Sequence, residues 1–409
     1  MKKVFIKTFG CRVNQVESQA LREEFLKQGC SFTDAFETAD ICLLNTCTVT
    51  AKADSDVEKL ARRITNRNPM ARLILTGCYA AAHEGKIKQN LPSAEIINKH
   101  NIAKTLFDTD DDFWAVSGNE GRSRAFIKIQ DGCDNFCSYC IIPFARNKKL
   151  SKPIPSTVNE IKELISKGFK EIVLTGINIG NYLCPQTGAD LAVLLKEIFK
   201  IEGEYRIRFS SIELNTVTDS LLAAAKEGGS KFCNYFHIPL QSGSDLVLKD
   251  MNRRYLTKDY AKRIGEIKAM FPGIGIYADI IAGYPVETEE EFEKSYNFIK
   301  EVALNGLHVF SYSVRPGTKA ANLPQLNPVE IKKRSDKLRE LDFTLRCEFA
   351  ALQKGQTLET LVERKKGEFN TGVAGNFVRV DFKGKAKAGS LVKVKIISFK
   401  DGVCIGEML

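Results

Sequence analysis

From Lys3 to Ser313, short apolar runs alternate with helix-like stretches, and this alternation constrains the fold more than any other feature. A strand–helix–strand order lays successive strands side by side and parallel, with helices covering the sheet. In the first third the runs are Lys3–Cys11, Asp40–Cys47 and Arg72–Cys78, separated by helix-like Asn14–Gln28 and Ala53–Arg67. This β-α-β-α-β order predicts a parallel sheet of the Rossmann or flavodoxin type. Each run ends in a cysteine that follows a small or turn-prone residue: Gly10, Thr46 or Gly77. Ligands of parallel sheets gather beyond the carboxyl ends of the strands. Cys11, Cys47 and Cys78 can therefore converge on one three-thiolate site. Free cysteine is also an ordinary core residue, and Cys30 and Cys42 fit that description.

A second cysteine set is local. Cys133, Cys137 and Cys140 stand as C-x-x-x-C-x-x-C just past the apolar segment Ala125–Ile129. Three thiolates at this spacing can hold three irons of a cuboidal 4Fe–4S cluster, which usually takes four cysteines. No fourth cysteine is near, so one iron stays open to a ligand. The alternatives are buried thiols or a zinc knuckle, but zinc wants a second C-x-x-C or a histidine pair. The nearest histidines in the chain, His100 and His237, are far off.

From Arg124 to about Leu352, six strand-like runs follow: Ala125–Gln130, Glu171–Thr175, Arg206–Ile212, Tyr235–Leu240, Gly275–Ala282 and Gly306–Ser313. Helical patterns intervene at Thr157–Lys167, Ala189–Phe199, Asp219–Lys226, Thr257–Met270 and Glu289–Leu304. Six such units predict a partial (β/α)6 barrel with its site at the strand exits. Those exits carry Gly176 and Asn178, Ser210 to Glu213, His237 to Ser244, Asp279 to Pro285, and Tyr312 to Thr318. Turn and cap chemistry is the plainer role for Asn178, Ser210 and Asp279. His237 reads as a packed or hydrogen-bonded barrel residue, and Cys184, Cys233 and Cys347 as ordinary thiols.

After about Gln353 the pattern changes to short alternating strands: Thr357–Glu363, Phe369–Gly375, Phe377–Phe382, Leu391–Ile397 and Val403–Met408. They predict a small oligonucleotide-fold-like barrel. Arg364, Lys365, Lys366, Arg379 and several further lysines cluster here. With Phe377 as an exposed aromatic, they suit single-stranded RNA; a capping barrel with solvated lysines is the other reading. The net charge of +10 permits a polyanionic partner without requiring one. No apolar run approaches the roughly 18 residues of a membrane span, and the amino-terminal stretch lacks the marks of a signal peptide. A cytoplasmic protein is expected, with neither membrane nor DNA as partner. In that compartment its 12 cysteines imply metal or reactive thiols rather than disulfides.

The Cys133/Cys137/Cys140 spacing resembles the signature of radical S-adenosylmethionine (SAM) enzymes. That resemblance implies an open iron that chelates SAM and an electron that cleaves it to a 5′-deoxyadenosyl radical, the cofactor carrying the hard chemistry. Gly10-Cys-Arg-Val-Asn-Gln-Val-Glu-Ser18, Asn45-Thr-Cys47 and Thr76-Gly-Cys78 resemble the amino-terminal domain of the methylthiotransferases, a branch with a second, auxiliary 4Fe–4S cluster. His237-Ile-Pro-Leu-Gln-Ser-Gly-Ser244 and Arg315-Pro-Gly-Thr318 are similar to stretches of the same family, and the tail is similar to its TRAM domain. Two glycines of the family pattern are replaced, by Val286 and Asn147.

The resemblance spans nearly the whole chain. It implies domains at 1–107 (auxiliary cluster), 120–353 (radical SAM core) and 354–409 (RNA-binding), with a linker at 108–119. It implies auxiliary-cluster ligands Cys11, Cys47 and Cys78, and SAM-cluster ligands Cys133, Cys137 and Cys140. SAM contacts are expected from Tyr139, Gly176, Asn178, Ser211, Glu213, Gln241 and Arg315, and RNA contacts from Arg364, Lys365, Lys366, Phe377 and Arg379. Arg12 and Val13 point to the branch that methylthiolates threonylcarbamoyladenosine at ring carbon 2, beside the anticodon of tRNA. The implied partners are the anticodon stem-loop, an electron donor and a sulfur source. Isopentenyladenosine tRNA or a ribosomal protein is the alternative substrate, and a non-enzymatic iron–sulfur carrier or RNA-binding adaptor the distant one.

Overall fold

A computed structural model describes residues 1–109, 115–118 and 121–409. Half of the expected linker at 108–119, residues 110–114 and 119, thus lies outside the described residues. The chain forms two compact units: Met1–Ser117 with Ile127–Leu150 and Ser313–Ala321, and Gly118–Phe126 with Ser151–Tyr312 and Asn322–Leu409. Both cysteine triads belong to the first. No described helix is long and apolar enough to cross a membrane.

The first unit is built on a parallel sheet of β1 (Lys3–Thr8), β2 (Ser31–Phe32), β3 (Ile41–Thr46), β4 (Arg72–Gly77) and β5 (Glu95–Ile96). Its order is β2-β1-β3-β4-β5, with every pairing parallel. Central β3 is buried on both faces along its whole length, as the continuous apolar run Ile-Cys-Leu-Leu requires. Alternate residues serve opposite cores. Cys42 and Leu44 pack with Val57, Ala61 and Ile64 of helix Ala51–Arg67. Ile41 and Leu43 pack with Leu21 and Phe25 of helix Arg12–Lys27. The two-residue edge strands β2 and β5 were not anticipated, being too short for alternation to show. Cys11 precedes the first helix as its cap residue and Cys78 opens the short helix Cys78–Ala82. These two thiols sit at helix starts rather than inside strands.

Strand β6 (Ala125–Lys128) runs from the second unit into the first, and β7 (Gln130–Asp131) pairs with β8 (Leu150–Ser151) around the second cysteine triad. In the second unit, β9 (Glu171–Thr175) and β10 (Arg206–Phe209) continue the ladder begun by β6. β11 (Tyr235–His237), β12 (Gly275–Ala282) and β13 (Gly306–Ser311) form another parallel ladder. Parallel bridges Ile207–Phe232 and Ser211–His237 join the two. The strand succession is that of an open, partial (β/α)6 barrel. The helices at Ile154–Ser166, Leu191–Phe199, Asp219–Glu227, Thr257–Met270 and Glu289–Val302 match the predicted ones to within a few residues. Helix Asp245–Asp250 was not expected. β11 stops well short of the predicted Leu240; Pro239 has no N–H for a ladder, and Gln241 turns left-handed at φ 70°.

The tail closes into a five-stranded barrel of β14 (Thr357–Lys366), β15 (Phe369–Ala374), β16 (Arg379–Lys383), β17 (Leu391–Lys400) and β18 (Val403–Met408), in the order β14-β15-β16-β18-β17. Only β16 and β18 pair in parallel. Val362, Val380, Phe382, Val394 and Ile396 fill it.

This barrel is fastened to the rest of its unit by buried arginines. Glu171, fully buried, takes Arg206 at 2.7 Å and Arg208 at 2.9 Å, with Arg124 at 3.4 Å. Arg206 donates onward to the carbonyls of Glu359 and Val373, and Arg208 to those of Ala374 and Gly375. Here the expected exposed aromatic fails. Phe377 is half-buried against Tyr235, ring centroids 4.5 Å apart, with Arg208 over its face. An apolar ring beside a buried guanidinium gains more there than in water, so Phe377 packs into the seam between the barrel and the rest of its unit. Arg364, Lys365, Lys366 and Arg379 are exposed, as expected.

Candidate functional site

The amino-terminal triad is shaped by glycine and asparagine. Gly10 has φ +92°, and a Cβ there would lie 2.4 Å from Cys47 Cβ and 2.5 Å from its sulfur. Gly77 has φ +90°, and its Cβ would strike the Thr46 carbonyl at 2.4 Å. Only glycine allows this backbone and this approach together. Asn14, fully buried, donates to the carbonyls of Phe9 and Thr46 at 2.9 and 3.0 Å, tying the ends of β1 and β3. Asn45 donates back to the Asn14 carbonyl and to Ser18. Thr46 donates to the Thr76 carbonyl and accepts from the Ala80 N–H, joining β3 to β4 and the helix that starts at Cys78. Cys47 and Cys78 are buried and Cys11 is exposed. Burial pushes the Cys47 thiol up to about 11, with Cys78 and Cys11 adding like charge.

In the second triad, Gln130 braces the loop through the Asp131 and Gly132 carbonyls. Gly132 is left-handed at φ +78°, where a Cβ would stand 2.0 Å from the Lys148 carbonyl. A turn from the Cys140 N–H to the Cys137 carbonyl brings those two residues together. Burial pushes the Cys140 thiol up to about 12, and the charges of Cys137, Cys133 and Cys78 raise it too. Phe136 and Phe144 are exposed beside this loop, their rings 5.7 Å apart edge to face.

The donor sets can be tested against the metals they suit. Tetrahedral zinc, with Zn–S near 2.3 Å, draws its sulfurs to about 3.8 Å from one another. Among the described residues, no three thiols lie mutually within 4.8 Å. Neither triad therefore closes to the sulfur spacing of a zinc knuckle, and three thiolates with no fourth are the donor set that a cuboidal cluster with one open iron would take. The described group that does close within 4.8 Å is His237, Asp279 and His308. His237 Nε2 and His308 Nδ1 lie 2.8 and 3.3 Å from the same Asp279 oxygen, a hydrogen-bonded relay across β11, β12 and β13. This is the hydrogen-bonded role expected of His237.

Between the triads of the first unit lies a charge cluster that sequence reasoning missed. Arg146, wholly buried, donates from Nε to Cys78 Sγ at 3.1 Å and from Nη2 to Asn14 Oδ1 at 2.8 Å. Its fork also engages Glu17 and Asp131, each at 2.9 Å. Lys128 joins both carboxylates, and Lys99 joins Asp131. Burial alone raises a carboxyl, but Arg146 and Lys128 outweigh it and hold Glu17 at about 2. The only signal in the chain was the placement of Arg146 just past the cysteine loop.

Other expected SAM contacts are dispersed. Asn178 is buried, Gly176, Ser211 and Tyr139 are half-buried, and all but Tyr139 belong to the second unit. Gln241 holds its turn through the Asp279 carbonyl and the Ile281 N–H. Glu213 is paired with Arg253. Arg315 departs most from expectation. It is buried in the first unit, on Asp54 at 2.6 Å and the Thr48 carbonyl at 3.1 Å, where it braces the loop after Cys47. Val13 is buried in the sheet's helix cover, so this branch-marking position carries packing.

Residues 3–98 match the model of Uncharacterized protein family UPF0004, and residues 127–299 that of the Radical SAM superfamily. A Bacillus subtilis protein named threonylcarbamoyladenosine tRNA methylthiotransferase MtaB is 36% identical, over 97% of this chain and 94% of its own. A Thermotoga maritima protein of the same name is 38% identical, over 83% and 82%. A Roseobacter denitrificans protein named tRNA-2-methylthio-N(6)-dimethylallyladenosine synthase is 32% identical, over 98% and 97%. In fold, the chain is similar to the radical SAM methyltransferase TsrM from Kitasatospora setae, solved with cobalamin and a [4Fe-4S] cluster. The TM-score is 0.55 at 12% identity, over 78% of this chain and 77% of that one.

Proposed function

We infer the reaction from the premise that this chain belongs to the radical SAM methylthiotransferase family: it converts threonylcarbamoyladenosine in tRNA to its 2-methylthio derivative. The observation that carries this reading is the pair of three-cysteine sites in one compact unit, each framed by positive-φ glycines that no other residue can replace. The enzyme works with two 4Fe–4S clusters and SAM, which when bound supply the radical that opens a C–H bond, the sulfur and the methyl group.

Its own residues do the holding. Cys133, Cys137 and Cys140 hold the SAM-binding cluster. Cys11, Cys47 and Cys78 hold the auxiliary one, with exposed Cys11 on its solvent side and Cys47 and Cys78 anchoring it in the sheet. Tyr139, Gly176, Asn178, Ser211 and Gln241 orient SAM. Glu213 serves the same end through the position of Arg253, which it pairs. Arg315 holds the Cys47 loop. Arg364, Lys365, Lys366 and Arg379 grip phosphates of the anticodon stem-loop as exposed cations. The reaction also draws on an electron donor and a sulfur source, in the cytoplasm where tRNA is handled.

Relatives named for threonylcarbamoyladenosine reach 38% identity and those named for dimethylallyladenosine 33%, which favours the former substrate. Nucleoside analysis of tRNA from a deletion strain tests it. The 2-methylthio derivative of threonylcarbamoyladenosine should vanish while that of the isopentenylated base persists. The opposite pattern would refute the substrate assignment.

A further inference from the structure

We propose that Arg146 is a positioning residue for the auxiliary cluster, which grips Cys78 through its sulfur and raises the cluster's reduction potential. The inference rests on the reading that Cys11, Cys47 and Cys78 hold that cluster, and deepens it.

The geometry is specific. Arg146 is wholly buried and its Nε lies 3.1 Å from Cys78 Sγ. The remainder of its fork is spent on Asn14, Glu17 and Asp131, so the guanidinium plane is fixed from three sides. Asn14 is itself the residue that ties the ends of β1 and β3, so the guanidinium is braced by the frame that carries Cys11 and Cys47. A side chain held this rigidly presents its donor to sulfur without further ordering cost.

The charge balance points the same way. Arg146, Lys128 and Lys99 face two carboxylates, Glu17 and Asp131. One positive charge is left in excess in a buried site beside a thiolate set. Hydrogen bonds to the sulfurs and net local charge are two of the levers that set a cluster's potential. Both act here in one direction, because each favours the form with one more electron. Glu17 and Asp131 alone would act the opposite way; their pairing with lysines as well as with Arg146 keeps the guanidinium from being neutralised outright. The position of Arg146 in the chain adds a second consequence. It follows the Cys133–Cys140 loop directly, so the segment that carries one cysteine triad is pinned to a ligand of the other.

The test uses the full chain with Cys133, Cys137 and Cys140 changed to Ala, which leaves the auxiliary site alone. Iron per chain and the one-electron midpoint are measured by anaerobic dye-mediated titration with dithionite, in this parent and with Arg146→Gln or Arg146→Lys added. The parent should hold about four irons. Arg146→Gln should shift the reduction equilibrium at least tenfold toward the oxidised form, about 59 mV for one electron. Arg146→Lys, which keeps the charge without the Nε–Sγ bond, should shift it less and in the same direction. A change under twofold in an iron-replete Arg146→Gln protein overturns the proposal. If that variant holds no iron, Arg146→Lys is read by the same criterion. If neither holds iron, an unchanged apo-protein unfolding temperature supports a grip on the ligand, whereas a fallen one overturns it by making Arg146 a residue of the fold. A parent without iron would overturn the auxiliary-site reading, and the proposal with it.

Discussion

Replacing Gly10 with alanine should cost the protein its auxiliary cluster while sparing the other. Two effects act together. At φ +92° an L-residue pays a left-handed backbone penalty of about 1–2 kcal/mol. The new methyl would also stand 2.4 Å from Cys47 Cβ and 2.5 Å from its sulfur, well inside contact distance. Neither is the far end of a flexible chain, so the Cys47 backbone must move, and overpacking of this kind costs about 1–3 kcal/mol. The sum is about 2–5 kcal/mol, a large part of the roughly 5–15 that a typical protein has. Gly29 supplies the control. Its φ is +74° and a Cβ there meets nothing within 4 Å, so Gly29→Ala carries the backbone penalty alone. Anaerobic reconstitution should give about eight irons per chain in the parent and in Gly29→Ala, and about four in Gly10→Ala. Reductive SAM cleavage should survive in both. A Gly10→Ala protein with about eight irons and the stability of Gly29→Ala would refute the steric reasoning.

Changing Cys133, Cys137 and Cys140 to Ala should leave about four irons and abolish SAM cleavage, whereas Cys47→Ala should keep SAM cleavage and lose methylthiolation; equal loss of cleavage in a folded Cys47→Ala protein would contradict the division. Glu171→Gln should destabilise the second unit by about 3–5 kcal/mol, since it strands buried arginines, and denaturant titration measures this. Burial raises the Glu171 carboxyl, but Arg208, Arg206 and Arg124 outweigh it and hold it far below the usual range. Its contribution is therefore complete above the unfolded value of about 4.3 and lost as pH falls below it, so the wild-type advantage over Glu171→Gln should shrink on acidification. Alanine at Arg364, Lys365 and Lys366 should weaken binding of a labelled anticodon stem-loop and flatten its salt dependence. The log–log slope should fall by up to about one unit for each phosphate that is no longer neutralised; an unchanged slope would make the tail a cap.

What the chain disclosed in advance was whatever has a period or a motif. The alternation of β1, β3 and β4 with their helices, the six barrel strands and the five tail strands all show in apolar spacing. The cysteines were found because their chemistry is singular and they fall at strand ends. Two-residue β2 and β5 have no period to display. Arg146 was invisible for another reason: nothing in Ile-Pro-Phe-Ala-Arg distinguishes a buried guanidinium from a solvated one, and its partners Asn14, Glu17 and Asp131 are scattered along the chain. The bonds of Arg315 to Asp54 and Thr48 were equally hidden, because its motif names the loop but not the unit in which the side chain lands. Phe377 misled by the reverse route, since a basic strand made its ring look solvent-facing when Tyr235 and Tyr277 were waiting for it.

Arg206 and Arg208 reach the tail barrel chiefly through main-chain carbonyls, those of Glu359, Val373, Ala374 and Gly375. A carbonyl is offered by every amino acid, so the joint reads the course of the backbone and is nearly blind to side chains. Away from the seam at Phe377, the outer face of the barrel is then free to change its lysines without breaking these bonds. A tail with quite different surface chemistry, but the same strand path, could be grafted onto this enzyme and would be received by the same two guanidinium groups.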